Sequence, residues 1–196
     1  MKRKVIIGID LAGSESKPTG WAKIEGCIVN ACEIYENSDI IRKTLEEKPV
    51  LIAIDAPLSF PKSGIMRKAD REMFKLGYPV FPPLFKSMKN LTKRGTELTR
   101  TLRDKGLKVI EVHPASTRKA LGIPTKDWQK IQAIFLHIGL KGDLKKRTLT
   151  PHEIDAVTAA LTAYLKLKSQ TITVGEEKEG TIVVPIKQDW RQIKIE

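Results

Sequence analysis

Apolar and polar positions divide the chain into short runs. Val5–Ile9 and Val50–Ile54 are near-continuous apolar stretches rich in β-branched residues, closed by Asp10 and Asp55. Runs of this kind predict buried central strands over residues 4–11 and 50–55. Side chains alternate between the faces of a strand, so Gly8 shares a face with Asp10 and Ala53 with Asp55. Each small neighbour leaves room for a packed helix, a metal or a substrate backbone. Trp21–Ile24, a tight turn at Glu25-Gly26 and Cys27–Tyr35 predict an antiparallel meander after the first strand. Ser38 or Asp39 caps a predicted helix through Glu47, with Ile40, Ile41 and Leu45 apolar. A strand, a helix and a second strand in one sheet imply a right-handed crossover and parallel pairing.

Residues 59–106 interrupt this alternation. Gly64–Leu76 predicts a short helix with Arg67, Asp70 and Arg71 on one face. The prolines of Tyr78–Pro83 exclude helix there. Ser87–Lys105 predicts a helix with Met88, Leu91, Gly95, Leu98 and Leu102 as its apolar stripe. Lys89, Lys93, Arg94, Arg100 and Arg103 fill much of the remainder, and Gly106 closes it. Leu107–Val112 predicts another strand, carrying Glu111 in its apolar run, with His113 on the same face. Pro114–Leu121 and Lys126–Ile138 predict helices, and Lys141–Arg147 a basic turn. Thr150-Pro151-His152-Glu153 is a capping box that opens a helix running to about Lys168. Ala156, Ala159, Ala160 and Ala163 form a flank suited to close approach to a sheet, and His152 and Asp155 extend that flank to the first turn. Residues 171–174 and 181–186 predict a hairpin, with Pro185 at an edge or a strand end. Asp189–Glu196 carries no signal. Without repeats or a linker, residues 1–196 read as one domain with a basic helical insertion at 59–106.

Composition narrows the class. No apolar run approaches the roughly 18–20 residues of a membrane helix. The basic start Met1–Lys4 precedes too short an apolar run for a secretory leader. Cys27 and Cys32 fall in one predicted strand on opposite faces, so they cannot bridge, and no thiolate metal spacing exists. These features point to a cytoplasmic protein with no membrane partner. Abundant Lys, Glu and Ile with few Asn and Gln fit a thermophilic source. The net charge of +12 is uneven: residues 61–108 hold 13 Lys and Arg against 4 Asp and Glu, whereas residues 1–60 hold 8 against 9. A concentrated basic region favours a polyanion, here nucleic acid, DNA or RNA; the alternative is a solvated lysine-rich surface. Tyr78, Phe81 and Phe85 either stack on bases or anchor their loop to the core.

Three separate elements deliver carboxylates, Asp10, Asp55 and Asp155, with Glu111 as a fourth. Mg2+ and Mn2+ prefer oxygen ligands and keep several waters, so two to four carboxylates suffice. Two such ions about 3.5–4 Å apart can activate water and stabilise the leaving oxygen in phosphodiester cleavage. The blander alternative has Asp10 and Asp55 closing strand ends, Asp155 complementing a helix dipole and His152 merely packed.

An Asp after the first strand, an Asp after the fourth and an acid on a late helix resemble the RNase H-like superfamily, which includes RNase H, retroviral integrases and Holliday-junction resolvases. More closely, GIDLAG at 8–13, IAIDAPLS at 52–59, RKADR at 67–71, IEVHPAS at 110–116 and HEIDAVTAALTA at 152–163 resemble an uncharacterised family. That family is catalogued as a domain of unknown function predicted to contain RNase H-like nucleases. The resemblance spans nearly the whole chain. It implies an α/β, RNase H-like fold: a three-strand antiparallel meander extended by parallel strands, helices on both faces and a C-terminal hairpin. It also implies metal-dependent hydrolysis of nucleic acid. Asp10 would bridge two Mg2+ or Mn2+ ions, Asp55 and Asp155 would each bind one, and Glu111 or His152 would complete the shell or orient water. Arg67 and Arg71 would contact a phosphate, beside the basic helix of Lys89, Lys93, Arg94 and Arg100. His152 three residues before Asp155 departs from the better-known members and leaves one or two metals open. Two other readings stay open: a non-catalytic nucleic-acid-binding or scaffold protein, and a phosphate- or ATP-using enzyme of the actin-like and sugar-kinase kind, which needs two such lobes. A homodimer is compatible with all three.

Overall fold

Val5–Asp10 (β1) is the strand on which the sheet is built. The computed structural model describes residues 4–195; the start of the basic N-terminal segment, residues 1–3, and residue 196 lie outside the described residues. On one side, β1 pairs antiparallel with β2 (Thr19–Glu25), which pairs antiparallel with β3 (Ile28–Ile34). On the other side, after α1 (Asn37–Glu47), β4 (Leu51–Asp55) pairs parallel with β1. Outward from β4 come β5 (Val109–Val112), parallel, then β8 (Gly180–Pro185), parallel, then β7 (Thr171–Glu176), antiparallel. The two-residue β6 (Lys141–Gly142) joins β3, giving the order β6-β3-β2-β1-β4-β5-β8-β7. Pro185 closes a strand next to the edge rather than at it, because β7 lies outside β8. The meander, the parallel extension and the C-terminal hairpin are thus as the sequence implies.

Helices cover both faces. Even-numbered positions of β1 and odd-numbered ones of β4 face α7 (Pro151–Leu167) and α5 (Trp128–His137); Ile7, Ile9, Ile52 and Ile54 face α1 and α3 (Lys89–Asp104). The alanine flank of α7 lies almost on the sheet. A Cβ on Gly8 would stand 2.0 Å from the Ala156 carbonyl oxygen, and one on Gly20 2.0 Å from that of His152. Only hydrogen fits at these two places, so the glycines set how closely α7 approaches. Thr150 and Glu153 form the expected capping box. α2 (Lys68–Lys75) packs through Ala69 and Met73 on Val174, Ile182 and Val184 of the hairpin, and Tyr78 joins that cluster. Tyr78 therefore anchors its loop instead of stacking on a ligand.

Several boundaries move for local reasons. The hairpin turn sits at Gly26-Cys27, where Gly26 takes φ 59°, so Cys27 lies outside β3; both cysteines are free. The helix expected from Gly64 starts at Lys68, since Arg67 is extended and its backbone N–H donates to Asp70. The stretch expected as a basic turn holds β6 and α6 (Asp143–Lys146), pinned to β3 by the Ala31 N–H donating to Asp143. The silent C-terminus buries Ile193 and Ile195, whose N–H donates to the Ile138 carbonyl. Among the described residues, no helix is long and apolar enough to cross a membrane.

Candidate active site

The β1–β4 register places Asp10 directly beside Asp55. Neighbouring strands lie about 4.8 Å apart, so two carboxylates stand side by side at the C-terminal ends of parallel strands, on the face that α7 covers. The first turn of α7 reaches them because Gly20 admits the His152 backbone. His152 Nδ1 lies 2.7 Å from Asp10 Oδ2. That hydrogen bond outweighs partial burial and raises the His152 pKa, which favours an imidazolium donating from Nδ1.

Asp155, one turn further along α7, pairs with Arg118 of α4 (Pro114–Ala120). Burial still raises the Asp155 pKa, with Arg118 opposing. Among the described residues, the Asp55 carboxylate accepts no hydrogen bond. Part of its surface opens onto a cleft of about 190 Å3, lined also by Asp10, Arg67, Phe81, Glu111 and His113. Burial of the carboxyl, then the charges of Asp10 and Asp155, push the Asp55 pKa well above the carboxylate range, with Arg118 opposing. His113, the N-cap of α4, contacts Ser116 Oγ at 2.7 Å, and burial with the nearby Arg118 charge takes its pKa down to about 4.

Three sequence-predicted residues do other work. Glu111 lies across from Ile54, whereas Asp55 lies across from Val112, so Glu111 projects from the opposite face of the sheet. It accepts from the Leu58 N–H at 2.8 Å and from Arg67 at 2.5 and 2.7 Å. Glu111 is therefore committed to Arg67, although it lines the same cleft as Asp10 and Asp55. Arg67 is 1% exposed and spends all five N–H donors on Asp70, Glu111 and Ser59, which leaves nothing for a phosphate. Arg94, also buried, donates to the carbonyls of Ala12, Ser14 and Tyr35 and to Asn37 Oδ1. It clamps the loop after Asp10 instead of facing a nucleic acid. Arg71, Lys89, Lys93 and Arg100 are exposed. Phe81 and Phe85 are exposed too, their rings stacked at 6.3 Å. Sequence reasoning missed Arg118 and gave His113 no role. Nothing in a helix of Pro114–Leu121 marks its arginine as buried, because its acidic partner lies 37 residues away.

The donor set suits a hard divalent ion. Asp55 is unengaged, and Asp10 and Asp155 each commit one oxygen, to His152 and Arg118, and keep the other. Among the described residues, however, no three His, Cys, Asp or Glu side chains stand close enough together to grip one ion as they are placed. The chemistry fits, and the carboxylates must turn toward each other to use it.

Residues 8–179 match the model of a family described as "Protein of unknown function (DUF429)". No curated protein matches the chain. Among solved structures it is similar to Thermus thermophilus RuvC in complex with Holliday junction substrate, at 14% identity and a TM-score of 0.52, covering 84% of this chain and 96% of that one. A second Thermus thermophilus RuvC structure gives 14% identity, the same coverage and a TM-score of 0.45. At this identity the likeness is one of fold, and the fold is RNase H-like.

Proposed function

The chain belongs to the DUF429 family of proteins of unknown function, and on that footing we propose that it is a divalent-metal-dependent nuclease that hydrolyses phosphodiester bonds in DNA or RNA. The observation that carries this reading is the pairing of Asp10 with Asp55 under the first turn of α7, with Asp55 left without a donor. Burying a carboxylate without a partner lowers stability, and a divalent cation bound beside Asp55 would offset that cost.

Asp10, Asp55 and the uncommitted oxygen of Asp155 would hold Mg2+ or Mn2+. Bound there, the ion would supply an activated water and stabilise charge on the phosphoryl oxygens. The chain's own groups do the rest. Asp10 orients His152 through Nδ1, which leaves Nε2 at an exposed edge to hold or deliver a proton to a leaving oxygen. Arg94 holds the loop after Asp10, and Ala56, Pro57 and Phe81 wall the cleft. Exposed Arg71, Lys89, Lys93 and Arg100 supply a positive surface for the phosphate backbone. The RuvC complex holds a Holliday junction, and a nucleic-acid substrate also fits the charge concentrated in residues 61–108.

One observation favours a second reading, a binding protein without catalysis: Asp155 is already neutralised by Arg118. A nuclease panel decides between them. Single-stranded, duplex and branched DNA and RNA are incubated with Mg2+, Mn2+ or EDTA and with wild type, Asp10→Asn or Asp155→Asn. Metal-dependent cleavage by wild type that Asp10→Asn abolishes, at unchanged circular dichroism, is expected. Binding without cleavage in every arm would select the second reading.

A further inference from the structure

Resting on the nucleic-acid part of the reading above, and on no metal, we propose that Phe81 and Phe85 form a stacking platform for unpaired bases, so that the strand presented to the cleft is single-stranded or locally unpaired. Both rings are open to solvent, Phe81 at 67% and Phe85 at 50%. They lie 24° from parallel with centroids 6.3 Å apart. Large apolar side chains exposed singly are ordinary, whereas two side by side on one loop mark a contact surface. The loop is fixed although the rings are bare. Tyr78 is buried at one end, and its N–H donates to the Met73 carbonyl at 2.8 Å. At the other end the Pro83 carbonyl accepts from the Thr92 hydroxyl at 2.9 Å. The Phe85 N–H donates to the Pro82 carbonyl at 3.0 Å, and the Phe85 carbonyl accepts from the N–H groups of Met88 and Lys89, which leads the loop into α3. Pro79, Pro82 and Pro83 narrow the backbone further. Little ordering is left for a ligand to impose, which favours binding.

The surroundings select the occupant. Phe81 lines the same cleft as Asp10 and Asp55. No Asp or Glu lies between Glu72 and Glu97 in the sequence, and Lys86, Lys89 and Lys93 in that interval are exposed. Open aromatic faces flanked by lysines fit a flat base carried on a phosphate backbone. An apolar peptide would cover the rings and leave the lysines unmatched. Bases within a duplex are covered on both faces by their neighbours, so the rings reach only bases that are unpaired, at an end or at a branch. A base on Phe81 belongs to a nucleotide at the acid cleft, and Phe85 beside it takes the next base.

The test is binding in EDTA, apart from cleavage. Fluorescence anisotropy gives Kd of the full-length protein for an end-labelled single strand and for the blunt duplex of the same sequence, in DNA and in RNA. Wild type is compared with the double variants Phe81→Ala with Phe85→Ala and Phe81→Trp with Phe85→Trp. Wild type is expected to prefer the single strand. The alanine pair, at unchanged circular dichroism, is expected to lower that preference about tenfold, and the tryptophan pair to keep it. A fluorescent adenine analogue in the single strand should be quenched by wild type and not by the alanine pair. Lys89→Gln with Lys93→Gln should instead weaken both ligands alike, as phosphate contacts do. An equal loss on both ligands in the alanine pair, or no loss, would overturn the inference and leave the nuclease reading standing. Binding of neither ligand by wild type would overturn both. The expected preference in a protein that cleaves nothing with Mg2+ or Mn2+ would support the platform and remove only the catalysis.

Discussion

Replacing Arg67 with methionine removes the one charge that holds two buried carboxylates together. The side chain keeps roughly its volume but loses every donor, so Asp70 and Glu111, 1% and 6% exposed, are left facing each other without a cation. Removing one member of a buried ion pair typically costs about 3–5 kcal/mol, against a total stability of about 5–15 kcal/mol. For a chain of this size that is a fall in Tm of roughly 6–20 °C. Glu111→Gln should cost only about 1–2 kcal/mol. The amide oxygen can still accept from Leu58, Arg67 keeps Asp70, and burial already raises the Glu111 pKa against its ionised form. The double variant should be more stable than Arg67→Met alone, because one stranded charge is gone. Urea titrations followed by circular dichroism and tryptophan fluorescence give all three values. Arg67→Met within about 1 kcal/mol of wild type, with weakened nucleic-acid binding, would refute the buried-pair account and return Arg67 to the phosphate-contacting role expected from sequence.

Asp55→Asn should stabilise the metal-free protein by roughly 1–2 kcal/mol near neutral pH while abolishing cleavage, because burial and two neighbouring acids oppose ionisation there; a lower urea midpoint in EDTA would show that Asp55 has a partner after all. Gly20→Ala should cost about 2 kcal/mol or more and loosen the His152–Asp10 contact, since its Cβ would meet backbone at 2.0 Å; an unchanged His152 titration by NMR would contradict this. His113 titrates at about 4 in the fold, below its unfolded value of about 6.5, so it stabilises above pH 6.5 and loses that contribution, up to roughly 3 kcal/mol, as pH falls toward 4. Stability measured across that window should fall less steeply in His113→Gln than in wild type.

The parts of the site legible in the sequence are those set by local period. Alternation put Gly8 with Asp10 and Ala53 with Asp55, and the Thr150 capping box with the alanine flank of α7 placed His152 and Asp155 over a close-packed sheet. What was not legible depends on register and on distant acceptors. Alternation puts Glu111 and Val109 on one face, but only the pairing of Val112 with Asp55 shows that Asp55 leaves the sheet on the other, and only the fold shows that Arg67 takes Glu111. Arg67, Arg94 and Arg118 look like solvated helix arginines because their acceptors lie far along the chain: Glu111 at 44 residues for the first, the Ala12 carbonyl at 82 for the second, Asp155 at 37 for the third. The same three arginines turn a basic surface partly inward. The positive charge left for a polyanion is smaller than the composition suggests, and it rests more on lysine.

The central claim is that Asp10 and Asp55 share a divalent ion beside the cleft. The most direct measurement is anomalous diffraction from crystals soaked in Mn2+, for wild type and Asp55→Asn. The account predicts a Mn2+ peak in contact with Asp10 and Asp55 in wild type and its loss in the variant. No peak there at saturating Mn2+, in a protein that cleaves nucleic acid in solution, would contradict it.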